Sequence, residues 1–167
     1  MHVLIATAGV LPPDPVADLT EQLLGHFGSV TVMTVIEVPH QFLDTIRAEE
    51  WRPLAGSEAI WPSDEDALMS RYVEERGRRL VDPVLAALRS RGINPRSIFV
   101  EGSEPAGSIL AAAEEMEAGV IVLGATRSIF DESAWESVAL RVIRRASCPV
   151  LVIPPPARVD QAVPHDV

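Results

Sequence analysis

The sequence predicts an α/β fold: a single domain built on a doubly wound, five-stranded parallel sheet with helices on both faces. Three observations predict it. Short Val- and Ile-rich runs alternate with longer stretches of helical periodicity. The runs Val120 to Leu123 and Val150 to Ile153 are apolar throughout, as strands buried on both faces are. Residues Val3 to Ile36 read as one strand–helix–strand unit, long enough for the parallel crossover that needs about 30 residues or more.

The first strand, Val3 to Thr7, is ended by Ala8-Gly9-Val10 and the Pro12-Pro13 turn. Asp14 stands where an N-cap belongs, with Pro15 at the first helical position. Val16, Leu19, Leu23, Leu24 and Phe27 repeat at helical spacing, and Gly28 is the expected stop. A second strand covers Val30 to Ile36. Residues 37–62 then lack periodicity and carry Trp51 and Trp61, so they are expected to form an irregular insertion. It serves either as a packed-down surface segment or as a lid or partner-binding segment.

Ser63 and Asp66 resemble a capping box for a long helix with Met69, Tyr72, Val73, Leu80, Val84, Ala87 and Leu88 inward. Pro83 is expected to kink or split it, with Asp82 as a new cap. After Gly92 come a strand over Ser97 to Val100, the Glu101-Gly102-Ser103 step, and a helix from about Pro105 to Met116 with Gly119 at its stop. The strand from Val120 ends in Gly124, which frees the backbone to turn. A helix over Ala134 to Ala146 and the strand Val150 to Ile153 complete the domain, residues 1–155. Residues 156–167, after the Pro154 to Pro156 run, read as a flexible tail.

Composition narrows the function. Net charge is −10, and all 14 basic residues are Arg. An acidic surface opposes binding to nucleic acid or anionic lipid. No apolar run approaches the roughly 20 residues that span a bilayer. The chain enters its first strand without a basic leader, and the single Cys148 cannot form an internal disulfide, so a cytoplasmic location is expected. His2, His26, His40 and His165 show no metal-ligand spacing, and no nucleophile elbow is present, so no enzymatic activity is expected.

Five segments together resemble the universal stress protein family over residues 2 to 154. They are Val3-Leu4-Ile5-Ala6-Thr7-Ala8-Gly9, the Glu101-Gly102 step before a helix containing Ile109, and Val120-Ile121-Val122-Leu123-Gly124. Ser137-Val138-Ala139 and Ala146-Ser147-Cys148-Pro149-Val150-Leu151-Val152 complete the set. The resemblance implies a Rossmann-like fold and a stress-response role. It also implies a homodimer paired through the last strand, Val150, Leu151, Val152 and Ile153. An apolar edge strand of that kind needs covering or pairing. A further, unidentified protein partner is compatible with it.

The family has ATP-binding and non-binding branches. Binding members carry a Gly-x2-Gly-x9-Gly-Ser/Thr motif whose glycines bare backbone N–H groups to phosphate. Here Gly124 matches the first position, Arg127 replaces the second glycine, and Glu136-Ser137 stands where Gly-Ser/Thr is implied, one residue early. Glu136 is expected at the helix start, in a capping box with Ser133. A carboxylate within about 4–6 Å of a phosphate costs on the order of 1 kcal/mol. The Asp of the family's first loop is absent from Ala8-Gly9-Val10. Against this, Arg127 can clamp phosphate or pair with nearby acids, and Thr7, Val35 and Leu123 retain an apolar slot.

The candidate cleft therefore comprises Thr7, Ala8, Val35, Leu123, Gly124, Arg127, Ser137 and Val138. The expectation is a non-enzymatic regulatory protein with a degenerate nucleotide cleft that does not hold ATP and needs no cofactor. The alternative is binding of ATP or another adenine nucleotide, with Arg127 and Ser137 on the phosphates.

Overall fold

The computed structural model describes residues 1–25, 27–38, 65–124 and 137–154. Among them are five strands and four helices: β1 (His2–Ala6), α1 (Pro13–Leu24), β2 (Ser29–Ile36), α2 (Glu65–Ser90), β3 (Arg96–Glu101), α3 (Pro105–Glu115), β4 (Val120–Gly124), α4 (Val138–Arg145) and β5 (Val150–Ile153). The strands form one parallel sheet in the order β3-β2-β1-β4-β5. Most of segment 37–62, the tail 156–167, Arg127 and the proposed caps Ser63 and Ser133 lie outside the described residues.

Alternating side chains send each strand into two cores. Val3, Ile5, Val32 and Val122 pack with Val16 and Ala17 of α1 and with Val81, Val84, Leu85 and Leu88 of α2. On the other face, Leu4, Ala6, Met33, Ile121 and Leu123 pack with Ala106, Ile109 and Ala113 of α3 and with Ala139 and Val142 of α4. This is the doubly wound sheet that the sequence predicts.

Several boundaries differ from expectation, each for a local reason. Helix α1 begins at Pro13 with Pro12 as its N-cap, because two prolines preset the backbone for a helix start. Asp14 therefore falls in the first turn, and its carboxylate pairs instead with Arg91 Nη2 at 3.2 Å while Asp18 takes Arg91 Nε at 2.7 Å. Both aspartates raise the pKa of the Arg91 guanidinium, and the contact with Asp18 contributes most. The helix ends at Gly25, not Gly28, so Phe27 is not a core residue: it is 98% exposed.

Helix α2 is not split at Pro83. Proline in a helix interior costs about 3 kcal/mol. Here Asp82 and Pro83 lie on the exposed side, while Val81, Val84, Leu85 and Leu88 keep one apolar stripe in register across them. Four such burials, at roughly 1.5–3 kcal/mol each, outweigh the defect. The helix then closes with Gly92 at φ 75, its amide donating to the Arg89 carbonyl and the Ile93 amide to that of Leu88. On its exposed face Glu74 pairs with Arg78, and Glu75 with Arg79, one turn apart.

Helix α3 stops earlier than Gly119 implies. Glu117 takes the left-handed conformation, φ 50, with its amide donating to the Glu114 carbonyl and the Ala118 amide to that of Ala113. Gly119 instead donates to the His2 carbonyl, and a side chain there would meet Met1 Cγ at 2.6 Å. Its absent side chain lets the chain enter β4 beside β1.

Candidate functional site

The strand order reverses its direction of growth between β1 and β4, and a crevice opens at the carboxyl ends of these strands. A cavity of about 460 Å³ occupies it. The volume lies within the range of small-molecule sites, about 300–1,000 Å³.

Each wall follows from a local feature. Strand β1 delivers Ala6 and Thr7, followed by Ala8 and Val10. The Thr7 hydroxyl accepts the Gly9 amide at 2.9 Å, and Gly9 turns the chain at φ 83. That short turn lifts Val10 over the crevice. Strand β2 adds Thr34 and Val35, and β4 adds Leu123 and Gly124. Helix α3 contributes Pro105 and Ile109, and the start of α4 contributes Ser137, Val138 and Ala139.

Seven of the eight candidate residues thus line one cavity: Thr7, Ala8, Val35, Leu123, Gly124, Ser137 and Val138. The eighth, Arg127, lies outside the described residues. The sequence reasoning missed Ala6, Val10, Thr34, Pro105, Ile109 and Ala139. Ile109 had a signal, since it belongs to the helix that carries the resemblance. Thr34 had none: it sits mid-strand, 1% exposed, with a buried hydroxyl that has no hydrogen-bond partner among the described residues.

One expectation about the phosphate side is corrected. Helix α4 starts at Val138, four residues later than the sequence suggests, and its N-cap is Ser137, whose hydroxyl accepts the Leu140 amide at 3.2 Å. The capping box expected from Ser133 and Glu136 lies outside the described residues. Gly124 remains in the strand, paired with Ile153, and its φ is not left-handed. A Cβ there would sit 3.4 Å from Leu11 and 3.5 Å from Val10, and the turn expected after it lies outside the described residues.

Chemically the lining is apolar with three hydroxyls, and none of its described residues carries a charge. Ser137 already spends its hydroxyl oxygen on the helix. Among the described residues no cluster of His, Cys, Asp and Glu is placed to hold a metal, and no helix is long and apolar enough to cross a membrane.

Residues 1–154 match the model of the universal stress protein family. A universal stress protein of Methanocaldococcus jannaschii is 34% identical over 92 residues, and the match spans 54% of each chain, about half the length of that relative. A crystal structure of a universal stress family protein from Burkholderia pseudomallei superposes with TM-score 0.56 at 26% identity, covering 92% of this chain and 95% of that one. A family protein from Arabidopsis thaliana, solved with AMP bound, shares the fold with TM-score 0.58 at 15% identity, covering 100% and 99%. The same fold occurs in a universal stress protein solved with cAMP, TM-score 0.60 at 15% identity over 92% and 96% of the two chains. It occurs also in one from Archaeoglobus fulgidus solved with dAMP, TM-score 0.51 at 20% identity over 92% and 97%.

Proposed function

The chain belongs to the universal stress protein family, and on that premise we propose that it is a non-enzymatic, stress-responsive regulatory protein with a reduced nucleotide cleft. The cleft takes an adenine nucleoside or nucleoside monophosphate and does not hold ATP. The observation that carries this reading is the composition of the cavity. Its adenine-side residues Thr7, Val35 and Leu123 are together, while its described lining supplies no cation to a triphosphate.

Further support comes from both ends of the cleft. Ser137 occupies one of the amides at the start of α4, that of Leu140, and the first loop offers Ala8, Gly9 and Val10 in place of polar side chains. Fold relatives solved with AMP, cAMP and dAMP make a singly phosphorylated ligand the natural comparison. The regulatory readout then passes through a homodimer formed by Val150, Leu151, Val152 and Ile153, in the cytoplasm, with a further protein partner. Residues 1–155 act as one domain and 156–167 as its tail.

Calorimetry of dialysed protein against adenosine, AMP, cAMP and ATP tests the reading. Binding of adenosine or a monophosphate, with ATP weaker by at least about tenfold (1.4 kcal/mol), is the expected result. Micromolar ATP binding that Arg127→Ala abolishes would establish the alternative, in which Arg127 and Ser137 hold the phosphates.

A further inference from the structure

No charge lines the described cavity, yet a pair of opposite charges joins two of its walls. The Glu104 side chain caps α3 by accepting the Gly107 amide, and Arg141 Nη1 of α4 donates to Glu104 Oε1 at 2.8 Å. Glu104 immediately precedes Pro105 of the cavity wall. Arg141 lies four residues beyond Ser137, about 6 Å along the axis, and its backbone amide donates to the Ser137 carbonyl at 3.1 Å. The Arg141 Nε is buried and has no hydrogen-bond partner among the described residues. The guanidinium is thus held on Glu104, next in sequence to Pro105 of the cavity wall, with a donor unspent among the described residues.

The geometry points to Glu104 and Arg141 as a specificity-determining pair, in which Glu104 holds and neutralises Arg141 so that the cleft favours an uncharged adenine ligand over a phosphorylated one. The inference rests on the reading of the cavity as a nucleoside or monophosphate site. A matched pair presents almost no net field to a phosphate, whereas an unmatched guanidinium attracts it. Both side chains are substantially exposed, 40% and 49%, and pairs of that kind contribute little to stability. The effect of the pair is thus expected in ligand selection and not in folding. Glu104→Gln isolates it, because the amide oxygen still accepts the Gly107 N–H while the charge is gone.

The test measures adenosine and AMP affinities of the full chain by calorimetry in the wild type, Glu104→Gln, Arg141→Gln and the double variant. Glu104→Gln should tighten AMP roughly fivefold at low salt, the order expected of one unmatched unit charge near a phosphate at intermediate dielectric. Adenosine affinity should stay unchanged, and the double variant should lose the gain. An AMP-to-adenosine ratio unmoved by Glu104→Gln overturns the inference and leaves the site reading intact. A parallel loss of adenosine overturns it too, by making the pair merely structural. A gain that survives in the double variant removes Arg141 from the mechanism. Wild-type protein that binds neither compound overturns the reading of the cavity itself, and the inference with it.

Discussion

Gly77 of α2 lies so close to Phe99 of β3 that a Cβ on the glycine would stand 2.5 Å from the ring Cδ1 and 2.6 Å from Cγ. A glycine in mid-helix costs about 1 kcal/mol against alanine, so this position gives up helix propensity for contact with the outer strand. Overpacking of a fitted contact costs about 1–3 kcal/mol. Gly77→Ala should therefore lower stability by roughly 1 kcal/mol in urea unfolding. In a Phe99→Ala background the same change should raise it. Equal effects in both backgrounds would show that the ring is not the constraint.

Glu117 is exposed and occupies the left-handed position that ends α3. The conformation costs a residue with a Cβ about 1–2 kcal/mol, and glycine very little. Glu117→Gly should thus stabilise the protein by about 1 kcal/mol, seen as a higher urea midpoint at unchanged m-value. A lower midpoint would mean that the Glu117 side chain makes a stabilising contact of its own.

Burial, followed by the positive charges of Arg96 and the N-terminal ammonium, holds the His2 imidazole below its ordinary pKa, while its Nδ1 lies 2.7 Å from the Ser29 hydroxyl. As pH falls through about 6.5 the unfolded chain protonates first. This contribution to stability is complete above that pH and is lost toward the lower folded value. The decline in urea midpoint from pH 7 to pH 5 should accordingly be smaller in His2→Gln than in the wild type. Parallel declines would remove His2 from the pH response.

Strand β5 pairs with β4 and closes the sheet order, so its second edge is unpaired among the described residues. If the homodimer forms there, wild-type protein sediments at twice the 18.1 kDa chain mass and Val152→Asp sediments at the single mass with unchanged far-UV circular dichroism. A Val152→Asp protein that keeps the wild-type mass rules this edge out as the interface.

The sheet was legible because each strand is an apolar run with turn residues beyond it, and two-sided burial leaves that pattern whatever the surroundings. Helix ends were less so. Leu23, Leu24 and Phe27 continue a helical spacing past Gly25, and spacing alone does not say that Gly25 adopts φ 55 and stops the helix. Pro83 misled for the opposite reason: a strong local breaker was outweighed by Val81, Val84, Leu85 and Leu88, whose burial depends on the folded sheet. Strand ends dictate position, and the structure accordingly brings Thr7, Val35 and Leu123 to one cavity. The start of α4 was placed too early, because Ser137 stands outside the helix as its N-cap.

The pairing of β1 with β4 joins Val3 to Val120 and Ala6 to Leu123, so the central seam of the sheet unites strands that lie more than a hundred residues apart in sequence. Strands β1, β2 and β3 are complete before β4 leaves the ribosome, and three paired strands with α1 and α2 can assemble during that interval. The crevice has only one bank until the second half docks. A molecule held between Thr7 and Leu123 would then act as a clasp on the last joint to close, reporting that both halves of the domain have met.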